Sequence, residues 1–219
     1  MRIYHGSKEK IVNPLVKGSD PHDDYGPSFY LTFTLNDAKM WACKNDAIGF
    51  VNEYEIDSRS FHNLKILDLT DKTKFSVLNW IAILMHFRSL KSSFIKRYEQ
   101  NLKWLEKYYI DVNEFDIVKG YRADDSYFQF PLQFISNNLS LEDLETIFKL
   151  GKLGIQYGFI SERSIKLLHF VNCLECETTF LGQHYLRVKE ATNDFNESIS
   201  KPIDLNKTYI LDLMRKENE

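Results

Sequence analysis

Gly26-Pro27-Ser28-Phe29-Tyr30-Leu31-Thr32 is the stretch on which the fold turns. Glycine and proline break the chain, and Ser28 to Thr32 then reads as a strand rich in aromatic and β-favouring residues. Thr34-Leu35-Asn36-Asp37 follows at once, a pattern in which Thr34 accepts from the third helical N–H and Asp37 favours the helix start. A helix to about residue 46 would carry Ala38, Trp41 and Ala42 on one face. On the N-terminal side, Ile3-Tyr4-His5 reads as a short strand broken at Gly6-Ser7, and residues 17 to 28 read as a polar loop.

Phe50-Val51-Asn52-Glu53-Tyr54-Glu55-Ile56 alternates as a half-buried strand should, and Leu64 to Leu69 is suited to pair with it. Two helical stretches follow; in the second, Leu90, Phe94, Tyr98, Leu102 and Leu105 form an amphipathic stripe. Phe115 to Val118 reads as a strand, and Ser126 to Asn137 as a helix despite Pro131. Ser140 caps a further helix with Leu141, Leu144, Ile147 and Phe148 inward. Ile155 to Ile160 is a late strand, and Ser161 caps the helix after it, with Ile165, Leu168 and Phe170 inward. Beyond Thr179 the pattern weakens. Strands first, helices in the middle and a late strand give an α+β class.

Composition bounds the function. With 43% hydrophobic residues, 16 Phe and 12 Tyr, the 219-residue chain can close a core and does not read as disordered. Twenty-eight basic against 31 acidic residues leave a net charge of −3, which carries no overall footprint for nucleic acid. Lys91, Lys96, Arg97 and Lys103 read as a solvated helix face. Met1-Arg2-Ile3-Tyr4 runs straight into a strand without the apolar segment of a secretory signal. The most apolar run, Trp80 to Met85, is far short of the ~18 residues of a membrane span. Three cysteines, an odd number, fit a reducing cytoplasm. Cys173-Leu174-Glu175-Cys176 is half a zinc knuckle without its second half, so no metal site is expected and the cysteines read as small apolar residues.

Three elements in order carry the chemistry: a strand ending His5-Gly6-Ser7, then the run from Gly26 to Thr32 with Ala38 and Trp41 behind it, then Gln156-Tyr157-Gly158-Phe159. This order resembles the His-Tyr-Glu branch of the ADP-ribosyltransferase superfamily, the poly-ADP-ribose-polymerase and diphtheria-toxin type. It resembles more closely a bacterial family within that superfamily, whose Gly-x-x-Ala-Asp-Asp element matches Gly120-Tyr121-Arg122-Ala123-Asp124-Asp125. The resemblance covers about residues 1 to 172. It implies a split β-sandwich with a helical insertion around residues 71–109, a domain over 1–180 and a C-terminal extension over 181–219.

The resemblance also implies NAD⁺ as substrate and assigns roles. His5 would donate to a ribose hydroxyl, the Gly6 backbone would hold the nicotinamide carboxamide, and Ser7 would add a hydroxyl. Tyr30 would stack on the nicotinamide, with Trp41, eleven residues on, closing the other face or serving as core. Cleaving the nicotinamide–ribose bond develops positive charge, which a fixed negative group stabilises. The superfamily supplies a Glu there, and this chain has Gln156, which accepts hydrogen bonds but brings no charge. Asp124, Asp125 and Glu162 are the carboxylates that would compensate; the other readings are a cap for the helix near Ser126 for the aspartates and a first-turn acid for Glu162. The central Gly-Lys-Gly of the family becomes Gly26-Pro27-Ser28.

The resulting expectation is a cytoplasmic mono-ADP-ribosyltransferase acting on a protein or nucleic-acid acceptor. The resemblance places it in a bacterial toxin–antitoxin or defence system with a small antitoxin partner. An NAD⁺-binding protein without activity and an NAD⁺ glycohydrolase are the alternatives.

Overall fold

In the computed structural model, residues 1–16, 20–43, 49–123, 125, 127–149 and 154–217 are described. Seven strands among them form two open sheets. The first is antiparallel, with β1 (Arg2–Ser7) beside β3 (Phe50–Glu55) and β3 beside β7 (His169–Glu175). The second runs β2 (Phe29–Leu31), β6 (Ile155–Phe159), β5 (Ile117–Tyr121), β4 (Ile66–Asp68), antiparallel except for the β4–β5 pair. The protein is therefore α+β, as the element order suggested.

Helices fill the remainder: α1 (Leu35–Ala42), α2 (Ser58–His62), α3 (Val77–Phe87), α4 (Ser92–Arg97), α5 (Glu99–Leu105), α6 (Gln129–Ile135), α7 (Leu141–Lys149), α8 (Glu162–Ile165), α9 (Thr179–Ser200) and α10 (Ile210–Lys216). Residues 71–109, where the resemblance implies an insertion, hold α3 to α5 with a 3-10 turn at Glu106–Tyr108. The stripe from Leu90 to Leu105 packs on the larger core but spans a break, because Tyr98 leaves helical geometry between α4 and α5.

Several local expectations change. β1 continues through Gly6 and Ser7, since β3 pairs with both. Leu64 to Leu69 does not join β3; its central part is β4, parallel to β5. The strand read at Phe115 begins two residues later, because Asp116 is drawn into side-chain bonding. Thr34 makes no side-chain cap; Asp37 instead accepts a hydrogen bond from Thr34. Residues 44–46, the expected end of that helix, lie outside the described residues. Phe170 belongs to β7 rather than to the short α8.

Other readings stand. Ser140 accepts from Asp143 N at 3.1 Å and Ser161 accepts from Ser164 N at 3.0 Å, each capping its helix. Pro131 sits in the first turn of α6, where its missing N–H costs no helical bond. Towards the C-terminus the long α9 is followed by α10.

The sheets meet at one bridge. Tyr4 N–H donates to Thr32 O at 2.8 Å and Thr32 N–H donates back to Tyr4 O at 2.9 Å. Ile3, Leu31, Tyr54, Ile56 and Phe159 form a core beside this junction. A larger core under α3 and α6 holds Trp80, Ile81, Phe130 and Phe134.

Candidate active site

The Tyr4–Thr32 bridge decides what the next residues of β1 present. Peptide groups alternate along a strand, so Tyr4 and Gly6 direct N–H and C=O to one edge and Ile3 and His5 to the other. Tyr4 spends its pair on Thr32. By the same alternation Gly6 directs its N–H and C=O to that edge, and it lines a cavity of about 1210 Å³. A side chain at Gly6 would run into Ala38 O, Ala42 N (2.7 Å) and Trp41 Cβ (3.0 Å). The missing Cβ thus lets α1 lie directly on β1, and this contact sets the position of Trp41.

His5 stacks on Phe29 with ring centroids 4.3 Å apart, and its Nδ1 is 2.6 Å from Tyr30 O. A carbonyl can only accept, so Nδ1 carries the proton in this bond. Tyr30 donates its hydroxyl to Gly26 O at 2.8 Å and accepts from Tyr25 N–H at 2.9 Å. Its hydroxyl is thereby locked, and its ring remains as a wall of the cavity. Burial, with the Asp24 charge second, pushes the Tyr30 phenol well above its usual range. Gly26 makes the turn possible at φ 74°, where any side chain would strike the Phe87 ring.

Trp41 also lines the cavity, and the Arg122 guanidinium lies 4.6 Å from its ring centroid. One face of the indole is thus covered by a cation rather than free for a second stacking partner. The Trp41 Nε1–H is buried without a hydrogen-bond partner among the described residues.

Gln156, 3% exposed on β6, donates from Nε2 to Asp24 Oδ2 at 2.8 Å. The same Oδ2 accepts from Ala123 N–H at 2.8 Å, and Oδ1 faces Arg88 Nη1 at 3.4 Å. Burial pushes Asp24 up to about 6, against the lowering pull of the Ala123 N–H, Arg88, Arg122 and Gln156. Arg88 also pairs with Asp125 at 2.5 Å and lies over the Phe128 ring.

The cavity therefore gathers His5, Gly6, Tyr30, Trp41, Gln156 and Asp125 from the sequence reading. Ser7 and Ala38 do not line it. Ser7 donates to Glu9 O and accepts from Asn52 Nδ2, fixing the loop after β1, while Ala38 lies under Gly6 in the core. Asp125 is exposed and held by Arg88, and α6 begins only at Gln129, so it does not cap that helix. Asp124 lies outside the described residues. Lys91 and Arg97, read as a solvated face, stand at the cavity wall formed by the insertion, and α9 adds His184 and Val188.

Sequence reasoning passed over Asp24, Arg88 and Arg122. Asp24 carried the one readable signal, an acid two residues before the turn glycine Gly26. Among the described residues no three metal-ligating side chains come together, Cys43, Cys173 and Cys176 are free thiols, and no helix is long and apolar enough to cross a membrane.

Residues 1–170 match the model of a family described as "Protein of unknown function (DUF3990)", and the chain belongs to that family. Searches of curated proteins and of solved structures found no match.

Proposed function

We propose that this chain, a member of the DUF3990 family, binds NAD⁺ where its two sheets meet and transfers the ADP-ribose to a macromolecular acceptor. The observation that carries this reading is the single cavity that brings Gly6, on the strand edge that Tyr4 uses for Thr32, together with His5, Tyr30 and Trp41. A primary carboxamide presents one donor and one acceptor side by side, the complement of the pair Tyr4 gives to Thr32. The cavity exceeds the ~300–1,000 Å³ that holds a drug-sized ligand, as a dinucleotide requires. In this reading the two sheets form the split sandwich of the ADP-ribosyltransferases, with the insertion α3 to α5 as an added wall.

Each group then has a task. Gly6 holds the carboxamide, the Tyr30 ring orients the nicotinamide, and His5 hydrogen-bonds a ribose hydroxyl. Arg122 supplies positive charge for phosphate oxygens. The bond between nicotinamide N1 and ribose C1′ breaks with its electron pair going to nicotinamide, which leaves neutral. Positive charge appears on the ribose, the acceptor's lone pair forms the new bond to C1′, and the acceptor's proton passes to solvent or a base. Gln156 turns its amide nitrogen to Asp24, so its oxygen is the atom available to a ribose hydroxyl.

Purified protein incubated with lysate and NAD⁺ labelled in its adenosine half tests the reading. Nicotinamide release with labelled macromolecule is expected, and His5→Ala and Tyr30→Ala should each abolish the label. Unchanged labelling in both variants would sink the site assignment. Release without label would instead mark a glycohydrolase. Saturable NAD⁺ binding without release would mark a binding protein in which the uncharged Gln156 has cost the chemistry.

A further inference from the structure

We propose that Asp24 positions Gln156 and supplies, from behind it, the negative charge that an acid at position 156 would otherwise place beside the reacting ribose. The proposal rests on the NAD⁺ reading of the cavity and names the group that makes its chemistry feasible. Three donors from three parts of the chain converge on one enclosed carboxylate: the Ala123 N–H, Gln156 Nε2 and the Arg88 guanidinium. Asp24 also lines the cavity that holds His5, Gly6 and Tyr30.

The Gln156 bond has a fixed polarity, because a carboxylate cannot donate. Nitrogen faces Asp24, and the carboxylate polarises the amide so that its oxygen becomes a stronger acceptor. In a water-poor site such a charge is poorly screened and acts on the positive charge developing at C1′. Asp24 itself need not touch substrate.

The surrounding groups are consistent with an ionised Asp24 in the working state. Arg88, at the end of α3, and Arg122, after β5, both lower its proton affinity. Asp125 competes for Arg88, Asp23 lies beside it in the loop, and the phenols of Tyr25 and Tyr30 remain neutral. Arg88 is thus shared, which leaves Asp24 incompletely neutralised.

The test compares wild type, Asp24→Asn, Gln156→Glu and the double variant Asp24→Asn/Gln156→Glu. NAD⁺ binding is followed by calorimetry and nicotinamide release is followed on both sides of about pH 6, where Asp24 titrates. Asp24→Asn should keep NAD⁺ binding, lose about 100-fold in kcat, and lose the acid limb that wild type shows as Asp24 protonates. The double variant moves the charge to position 156 and should regain at least about tenfold of that loss, which a purely structural Asp24 would not allow. Gln156→Glu alone places two carboxylates in contact, so its acid limb should move to higher pH.

Full turnover in Asp24→Asn, or a double variant as inactive as Asp24→Asn while both still bind NAD⁺, overturns the proposal and leaves the NAD⁺ reading standing. If Asp24→Asn does not fold, the Gln156→Glu profile decides: an unmoved limb overturns the proposal and a shifted one supports it. A wild-type chain that binds NAD⁺ without release overturns the proposal and the transfer step, and leaves NAD⁺ binding at the cavity standing. One that neither binds NAD⁺ nor releases nicotinamide overturns both.

Discussion

Gly6→Ala is the most demanding test of how the site is built. A methyl group at this position would overlap the carbonyl oxygen of Ala38, lie 2.7 Å from Ala42 N and lie 3.0 Å from Trp41 Cβ. Two of these three atoms are helix backbone, which cannot rotate aside as a side chain would. Relief therefore requires α1 to move off β1 as a body, taking Trp41 with it and opening the contacts among Ala38, Ala42 and Val51. Overpacking of a filled core costs about 1–3 kcal/mol, and a backbone clash belongs at the upper end. For a chain of this size a loss near 3 kcal/mol lowers Tm by roughly 6–12 °C. Urea unfolding with the slope m checked for constancy measures the loss directly, and NAD⁺ titration of the folded variant should show weakened binding. A loss within about 0.5 kcal/mol, the range of an ordinary surface change, would refute the argument that this glycine sets the helix position.

Tyr30→Phe removes a hydroxyl that donates to Gly26 O and accepts from Tyr25 N–H, leaving two backbone groups without partners. We expect a loss of about 1–3 kcal/mol in urea unfolding, with nicotinamide-dependent quenching of protein fluorescence retained because the ring remains. Asp116→Asn should cost about 1–3 kcal/mol in the same assay, since its carboxylate joins Lys65 N–H at the start of β4 to Ser161 at the cap of α8. Asp24, raised by burial from 3.8 to about 6, makes the opposite pH contribution to that of a paired carboxylate. The folded state holds its proton more tightly than the unfolded chain, so the contribution is complete below 3.8 and disappears as pH rises through about 6. Stability of wild type relative to Asp24→Asn should fall by up to about 3 kcal/mol across that window, and a flat difference would show that Asp24 titrates normally.

What the sequence made legible were local things. The Ser140 and Ser161 caps, the amphipathic stripe from Leu90 to Leu105 and the strand character of Phe50 to Glu55 each depend on neighbours within a turn or a strand and are readable, although Asn52 is buried beside Val51 where alternation would expose it. β4 was misplaced because its apolar run fits either partner, and the choice was made by β5, some fifty residues away. β7 escaped because His169 to Glu175 buries little; its strand character comes from pairing with β3 rather than from an inward face. Within the site, His5, Gly6, Tyr30 and Gln156 stood at recognisable positions, yet their functional polarity did not. That His5 gives its Nδ1 proton to the Tyr30 carbonyl follows from β1 and β2 lying side by side. That Gln156 is held by Asp24 follows from a contact across 132 residues of chain.

This long contact also bears on why a glutamine can stand where an acid is expected. A chain shaped for stability alone gains nothing by enclosing Asp24. Burial raises its proton affinity, and apolar groups of similar shape often replace a buried ion pair without loss. An asparagine at 24 could still bond to Gln156 or Ala123 without carrying a buried charge. Yet the fold surrounds the acid with a backbone N–H, a carboxamide and a shared arginine, and it does so at the wall of the one cavity that also gathers His5, Gly6 and Tyr30. Cost accepted at a cavity wall is the pattern of a site rather than of a core. Under the proposed NAD⁺ reading, Gln156 and Asp24 divide between two residues the tasks of contact and charge, so a glutamine at 156 does not by itself leave the site without charge.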